Sequence, residues 1–364
     1  MSNNQHQRNV IEHSCSTIGK EERDAVIKVL KTNYLAEGQD VRRFEKEMCE
    51  YIGGKGAVAT STGTLALHLA LACLGIEKND EIIVPSYVCR SVLNAVLSIG
   101  ARPVVVDVNI DDYNISFSCV RKKVSKKTKA IIVAHMFGCP AEIDQFRDLG
   151  VPIIEDCAHA IGAEYKGKKV GSWGDLAIFS FEGTKYIITG EGGMVIANSR
   201  RLFNKLKKLK EPNSRDSIVK YTYRMTNLQA AIGRVQLARL ENFISKRKKI
   251  VKMYNKAFSK TQMQLPVEYQ YAKHVFHRYM VKINYNIRKY MNLCCRQGVN
   301  VKQPVKPYSL HKYLELSDYD FPNTRHIMKS AVSLPIYPSL TKKQVQYIIK
   351  VSKKALLKLE CEKR

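Results

Sequence analysis

The 364-residue chain is predicted to be an α/β protein with a mostly parallel central sheet, helices on both faces of it, and a smaller α+β domain at the carboxyl end. From about residue 56 to residue 200, short β-branched apolar runs alternate with helical patterns. Such runs are typical of parallel strands, because helices bury both of their faces. After Leu228 the pattern changes to a long helical stretch followed by mixed signals. We therefore predict a large domain over 1–240 and a small domain over 241–364.

The elements of the large domain follow one another in a regular order. The predicted strands are AVAT, EIIVPS, PVVVDV, AIIVAH, PIIED, LAIFSF and MVIANS, and helical patterns such as TLALHLALACLG, VLNAVLSIG and AEIDQFRDLG separate several of them. Gly100, Gly150 and Pro152 lie between these units, where turns are expected. A helical stretch over 227–258 is predicted to join the domains. The small domain then contains a strand-like run, HRYMVKIN, and helix-like runs, IRKYMNLCCRQG and KKQVQYIIKVSKKALLKL.

Composition excludes several classes of protein. No run approaches the roughly 18 apolar residues that cross a bilayer, and the amino terminus, MSNNQHQRNV, lacks the apolar core of a secretion signal. The ten cysteines include no C-x-x-C pair, which favours reduced thiols over disulfides or a zinc site. We therefore expect a cytoplasmic protein with no membrane partner and no metal.

The net charge of +27 has three interpretations. Basic residues cluster over 200–210 and 246–249, and at helical spacing both clusters are typical of solvated helix faces. Nucleic-acid binding is the alternative, but no interleaved aromatic residues or recognised nucleic-acid module accompany the charge. A third interpretation is a basic cleft that attracts an anionic small molecule. We do not expect a nucleic-acid partner.

Polar residues follow three of the predicted strands, where open α/β sheets bind their ligands. Asp156 ends PIIED, and it is either a helix cap or the partner of a buried cation. Ser61, Thr62, Gly63 and Thr64 precede an apolar helix, and they either cap it or hold a phosphate, with Ser180 adding a hydroxyl. Lys185, in SFEGTKYIITGEGG, is either a solvated loop lysine or a nucleophile made neutral by burial. Together these parts match the needs of pyridoxal phosphate, namely a lysine, an acid for its ring nitrogen and an anion site.

The chain resembles the DegT/DnrJ/EryC1/StrS aminotransferases, the sugar aminotransferases of fold type I. The resemblance lies in EDCAHAIGA, GSWGDLAIFSFEGTKYIITGEGGMV and YRMTNLQAAIGRVQL, and it extends to GAVATSTGTLALHLAL, DEIIVPSYV and SLPIYPSLTKKQV. It implies that Lys185 bonds covalently to the cofactor and that Asp156 pairs with the ring nitrogen. It also implies that His159 contacts the phenolic oxygen, that Gly63, Thr64 and Ser180 contact the phosphate, and that Glu191 lies at the edge of the site. The family builds this site at a dimer interface, so a homodimer is expected.

Two positions depart from the family pattern. The family often has Asn two residues before the Arg of its N-Y-R motif, reaching the neighbouring subunit's phosphate, whereas here the residue is Thr222. The family often places an aromatic residue over the cofactor ring, and the matching position here is Cys89, whose polarizable sulfur is a substitute. Tyr308 and His311, in QPVKPYSLHKY, are candidates for the sugar pocket.

The resemblance implies transfer of an amino group from glutamate to a keto group of a nucleotide-linked (dTDP-, UDP- or GDP-) deoxy-ketosugar in amino-sugar biosynthesis. One alternative is a dehydratase of the same family, but dehydratases carry His where this chain has Lys185. The other is a basic nucleic-acid-binding regulator built on a degenerate enzyme scaffold.

Overall fold

The computed structural model describes residues 10–211 and 221–363, and within them thirteen α-helices and twelve strands are found. The helices are α1 (Lys20–Leu30), α2 (Gln39–Ile52), α3 (Gly63–Leu74), α4 (Arg90–Ser98), α5 (Phe117–Lys123), α6 (Asp144–Arg147), α7 (Arg200–Lys210), α8 (Asn227–Ala238), α9 (Leu240–Phe258), α10 (Ile287–Arg296), α11 (Leu310–Tyr313), α12 (Pro322–Ser330) and α13 (Lys342–Lys363). The strands are β1 (Gly56–Thr60), β2 (Glu81–Pro85), β3 (Arg102–Val106), β4 (Thr128–Ala134), β5 (Ile153–Asp156), β6 (Glu164–Tyr165), β7 (Lys168–Lys169), β8 (Leu176–Ser180), β9 (Gly193–Ala197), β10 (Ala272–Lys273), β11 (Tyr279–Lys282) and β12 (Ala331–Leu334).

Seven strands form the central sheet in the order β1-β9-β8-β5-β4-β2-β3. The pairs from β8 to β3 are parallel, whereas β9 is antiparallel to both of its neighbours. Because β9 alone reverses direction, the carboxyl ends of β1, β5 and β8 lie at the same edge of the sheet. Ligands of open α/β sheets bind at this edge.

Alternating side chains of the sheet belong to two different hydrophobic cores. In β1, Val58 packs in the core on one face, and Ala57 and Ala59 pack in the core on the other. Both faces of the central sheet are therefore buried, which explains why the sequences of its strands are continuous apolar runs. The predicted α/β fold, with its mostly parallel sheet, is confirmed.

A third core lies in the carboxyl-terminal part of the chain. It contains residues of α10, α13 and the antiparallel pair β11–β12, and it also contains Ile11 from the amino-terminal segment. The helical stretch predicted over 227–258 is helical as two helices, α8 and α9, which are separated by Arg239 alone. The guanidinium of Arg239 pairs with the carboxylate of Glu22 at this junction. The boundary at residue 240 stays a prediction.

Across residues 10–211 and 221–363, none of the helices combines the length and apolar character that a bilayer crossing requires.

Candidate active site

Asp156 is the last residue of β5 and is buried, with 7% of its surface exposed. Its Oδ1 accepts a hydrogen bond from the backbone N–H of Ala158 at 3.0 Å. Oδ2 has no hydrogen bond to any other described residue. Burial raises the pKa of Asp156, and the positive charge of Lys185 opposes this shift. The carboxylate therefore makes a local turn contact and also keeps one oxygen free for a cation.

Lys185 lies in the loop after β8, the strand next to β5 in the sheet. Its backbone N–H donates to the carbonyl of Glu182 at 2.9 Å, and its side chain is half-buried. Burial lowers the pKa of the Lys185 amine, while the charges of Cys89 and Asp156 raise it. The lysine is therefore not a solvated loop residue, and it lies close to both of these groups.

The amino end of α3 lies against the end of β8. Thr62 caps the helix, with its Oγ1 accepting from the backbone N–H of Leu65 at 3.1 Å. The N–H groups of Gly63 and Thr64 come before the first helical hydrogen bond, so they point out of the positive end of the helix. A Cβ atom on Gly63 would lie 2.7 Å from Cβ of Ser180. Glycine is thus required for the close approach that places the Ser180 hydroxyl beside the helix end.

His159 is half-buried between two rings. It stacks on Phe137, with centroids 5.7 Å apart, and on His277, with centroids 4.4 Å apart. Burial lowers the pKa of His159, and the charge of Lys185 lowers it further. The imidazole is therefore neutral and lies near the lysine.

His277 and Arg278 are two residues of the site that sequence reasoning missed. Backbone hydrogen bonds hold this segment on the loop after β4, from Val275 N to Gly138 O at 3.0 Å and from Arg278 N to Phe137 O at 3.4 Å. His277 is 3% exposed, and neither ring nitrogen has a partner among the described residues. The HVFHR stretch offered one signal, polar residues directly before a strand, but it gave no indication that His277 would stack on His159.

Cys89 occupies the N-cap position of α4 and is exposed. Its charge raises the pKa of the Lys185 amine, so the two side chains interact. Its role in place of an aromatic ring over the cofactor stays a prediction. Tyr87, two residues earlier, is fully buried and packs against Tyr113 and Phe137 at 5.9 and 6.1 Å.

Three other predicted site residues, Glu191, Thr222 and Tyr308, are exposed. Glu191 is exposed, and its carbonyl accepts from Gln229 Nε2 at 2.7 Å, which ties its loop to α8. Thr222 is exposed, and the carbonyl of the next residue, Tyr223, accepts from Ser61 N at 2.8 Å. Tyr308 is 56% exposed.

His311 does not line an open pocket. It is 1% exposed, with Nδ1 bonded to the Ser86 hydroxyl at 2.5 Å and Nε2 bonded to Asp318 Oδ1 at 2.8 Å. Its ring also stacks on Phe321 at 4.3 Å. Because both ring nitrogens are hydrogen-bonded, His311 connects α11 to Ser86 at the end of β2. A contact between His311 and the sugar stays a prediction.

Three further groups, His135, Glu155 and Cys157, lie within 4.8 Å of one another. Glu155 is fully buried and accepts from His135 Nε2 at 3.0 Å and from the backbone N–H groups of Gly171, Trp173 and Gly174 at 2.7 Å each. His135 Nδ1 accepts from Ala141 N at 3.0 Å. The lone pairs of Glu155 and His135 are thus used in hydrogen bonds. Glu155 holds the GSWGD loop through the three backbone N–H groups, which a buried carboxylate needs as donors.

A model of the DegT/DnrJ/EryC1/StrS aminotransferase family matches residues 16–352. The chain belongs to this family. GDP-perosamine synthase of Escherichia coli O157:H7 is 35% identical to it over 354 residues, covering 92% of this chain and 94% of that protein. Among solved structures, S. venezuelae DesV is 29% identical with a TM-score of 0.85, covering 92% of this chain and 94% of that one. The PLP form of Spr1654 from Streptococcus pneumoniae is 23% identical with a TM-score of 0.90, covering 96% of this chain and 99% of that one, and it bears on the fold alone.

Membership in the DegT/DnrJ/EryC1/StrS family confirms the predicted enzyme class, a pyridoxal-phosphate-dependent aminotransferase, and its cofactor. The residues present fit that cofactor. Asp156 has a free carboxylate oxygen for a ring nitrogen, and the end of α3 beside Ser180 presents N–H groups to a phosphate. Lys185 is close enough to Asp156 for the two side chains to affect each other's pKa.

Proposed function

We propose that the protein transfers the amino group of glutamate to a keto group of a nucleotide-linked deoxy-ketosugar. The observation that carries this proposal is the half-buried amine of Lys185 beside the buried carboxylate of Asp156, at the ends of adjacent strands. Among the nucleotides, we favour GDP over dTDP and UDP because relatives 35% and 34% identical to the chain are named GDP-perosamine synthase.

Pyridoxal phosphate, when bound, supplies an electron sink for the carbon that loses its proton. Lys185 would hold the cofactor covalently and yield it to the donor amine. Nζ of Lys185 would remove the proton from the donor's α-carbon, because burial favours the neutral form of the amine that a base requires. Asp156 would pair with the ring nitrogen, and a cation there would offset the cost of burying the carboxylate. Gly63, Thr64 and Ser180 would bind the phosphate, and His159 would contact the phenolic oxygen.

The mouth of the site supports a nucleotide-linked substrate. Arg90 follows Cys89 in the chain, and its guanidinium lies 4.7 Å from the ring centroid of Tyr313. Tyr313 in turn packs edge-on against Tyr308 at 5.7 Å. Arg90, Tyr313 and Tyr308 therefore form a continuous row of side chains that begins next to Cys89. A guanidinium can bind a diphosphate, and aromatic rings can stack on a base. Glu191 and Thr222 would complete the site from its edge.

A homodimer is part of this proposal. Several large apolar side chains are exposed on α1, just before it and in the segment that follows it, namely Ile18, Ile27, Leu30, Tyr34 and Leu35. Exposed apolar residues grouped in this way support an interface, because contiguous apolar patches are typical of protein–protein contacts. Light scattering should give twice the mass of the 41.4-kDa chain, and the mass of one chain would contradict the dimer.

To test the proposed function, the purified protein is incubated with glutamate and a 4-keto-6-deoxysugar linked to GDP, dTDP or UDP. The sugar products are then identified by mass spectrometry. Amination of at least one sugar is expected, with the GDP-linked one fastest. Loss of water without gain of nitrogen would support the dehydratase alternative. DNA binding that weakens steeply with salt, without amination, would support the regulator.

A further inference from the structure

The excess positive charge of the chain is concentrated in its last third. Residues 241–364 contain 26 lysines and arginines against 7 aspartates and glutamates, whereas residues 1–240 contain 34 against 26. The last third therefore carries +19 of the net charge of +27. The phosphates of an anionic substrate do not account for this distribution, because Lys185, Asp156 and the amino end of α3 all lie before residue 241.

The outer face of α13 is a continuous row of exposed side chains, which we call the basic stripe. Its members recur at spacings of three and four, so they lie on one face of the helix, and they are Lys343, Tyr347, Lys350, Lys354, Leu357 and Cys361. The other face of α13 contributes Val345, Ile348 and Leu359 to the third core. The basic stripe therefore points away from the protein, and at the rise of an α-helix it is about 27 Å long.

The charge of the basic stripe is not neutralised. Within the described parts of the chain, none of its lysines forms an ion pair. The two acidic residues of α13, Glu360 and Glu362, lie outside the stripe, and Glu362 Oε2 pairs with Lys289 Nζ of α10 at 3.6 Å. The neighbouring helix α9 packs in the same core and adds further exposed lysines, namely Lys246, Lys249, Lys252, Lys256 and Lys260.

Two large apolar side chains lie among these lysines. Leu357 is 60% exposed, and Tyr347 is 42% exposed, with its hydroxyl donating to the carbonyl of Gln297 at 2.9 Å. At a lipid surface, such side chains enter the boundary between headgroups and acyl chains. The stems of lysines can lie along the same boundary while their ammonium groups stay among the headgroups. The composition of the stripe is therefore typical of a helix that lies on a membrane.

We propose that the basic stripe of α13 binds the surface of a membrane that contains anionic phospholipids. The helix would lie in the plane of the surface, with Leu357 and Tyr347 inserted and the lysines on the headgroup phosphates. Such a contact needs no membrane-spanning segment. It would revise the expectation of no membrane partner, which rested on the lack of an apolar run long enough to cross a bilayer.

Nucleic acid is the other polyanion that these lysines could bind. Proteins that bind single strands typically stack several bases on aromatic rings, and the stripe contains one such ring, Tyr347. Binding to a duplex depends on contacts between cations and phosphates, to which Leu357 contributes nothing. The pairing of lysines with an exposed leucine therefore favours lipid.

The test measures how the full-length protein sediments with vesicles of phosphatidylcholine alone or mixed equally with phosphatidylglycerol. We expect binding to the mixed vesicles only, and weaker binding as salt rises. The variant Lys343→Gln/Lys350→Gln/Lys354→Gln should bind about 100-fold more weakly, because each lysine near an anionic surface contributes about fivefold. The control Lys122→Gln/Lys126→Gln/Lys129→Gln removes the same charge from exposed lysines of the large domain and should stay within about twofold of the wild type.

A second pair of variants tests the apolar contact. Leu357→Gln should weaken binding about tenfold at high salt, where charges are screened and insertion of the leucine remains. Leu97→Gln is the matched control, because Leu97 is 49% exposed but lies on α4. Equal binding by these two variants would contradict insertion of Leu357.

Three results would overturn the proposal. The wild type might fail to bind mixed vesicles, which would make the stripe a solvated helix face. The two triple variants might lose binding equally, which would show an effect of net charge alone. The wild type might bind an oligonucleotide through the stripe lysines but not bind vesicles, which would make this a nucleic-acid surface. Unchanged melting temperatures would show that the variants are folded, and binding is measured without substrates, so the outcome does not depend on the proposed function.

Discussion

Burial is the largest influence on the pKa values of both Lys185 and Asp156, and it acts on them in opposite directions. The amine is pushed toward its neutral, nucleophilic form and the carboxyl toward its neutral acid. Each group's charge partly offsets the shift of the other. A protonated ring nitrogen beside Asp156 would add to this offset, because a positive charge favours the ionised carboxylate.

Lys185→Ala should abolish transamination with any donor, because both the covalent link and the base are lost. Activity is measured in both half-reactions, and borohydride reduction followed by peptide mapping locates the cofactor in the wild type. The label is expected on Lys185. A label on another lysine, or transamination retained by the variant, would contradict the assigned role.

Asp156→Asn should lower kcat by at least about 10²-fold, the lower range for loss of a positioned acid or base. The amide has nearly the same shape but cannot stabilise a protonated ring nitrogen. Turnover and cofactor content are measured together. The control is Asp148→Asn, a substitution at the end of α6, which precedes the amino end of β5. An Asn variant with wild-type turnover would remove Asp156 from the proposed mechanism.

Single residues were predictable where they follow a strand. Asp156, Ser180 and Lys185 each come after an apolar run, so the sequence alone indicated that they lie at one edge of the sheet. His277 and Arg278 were missed because their segment is positioned by a contact between distant parts of the chain, in which the N–H groups of Val275 and Arg278 donate to the carbonyls of Gly138 and Phe137. The burial of His311 likewise depends on Ser86, far away in the chain.

At the level of elements, the contact between α3 and β8 determines the phosphate site. Gly63→Val should weaken pyridoxal phosphate binding by roughly tenfold or more, because the added carbons meet Ser180 and separate the helix end from the strand. Cofactor affinity is measured by titrating the apoprotein. Gly183→Val is the matched control, because a Cβ at Gly183 meets nothing within 4 Å. Equal affinity in the two variants would argue against a site at the end of α3.

The strands themselves were largely predictable, but their order was not. MVIANS reads as a buried strand in either direction, so the sequence did not indicate that β9 runs against its neighbours or lies between β1 and β8. The short pairs formed by β6, β7 and β10 carry too few residues to produce a periodic pattern. Long-range pairing determines both features.

At the scale of the whole molecule, buried neutral histidines predict loss of stability in acid. Burial lowers the pKa of His274 to about 3, against about 6.5 in an unfolded chain. Below pH 6.5 the unfolded chain binds a proton that the folded chain does not, so the free energy of unfolding falls as pH drops from 6.5 toward 3. The slope is at most about 1.4 kcal/mol per pH unit for each such histidine.

His274→Asn should reduce this slope, because the amide oxygen can replace Nδ1 as the acceptor for Phe276 N but does not titrate. Urea unfolding at pH 7, 6 and 5 measures the slope. His326→Gln, at an exposed position, should leave it unchanged. A slope in His274→Asn equal to that of the wild type would show that this histidine does not contribute.

The position of β1 has a consequence for how the chain is made. β1 is an edge strand whose neighbour in the sheet is β9, and its first residue pairs with one about 140 positions later, Gly56 with Ala197. On the ribosome, β1 must therefore wait for more than half of the polypeptide to be synthesised before it can join the sheet. During that interval its apolar residues remain unpaired and open to chaperones or to aggregation. A slow stretch of translation shortly after residue 197 had left the exit tunnel would give the nascent sheet time to close.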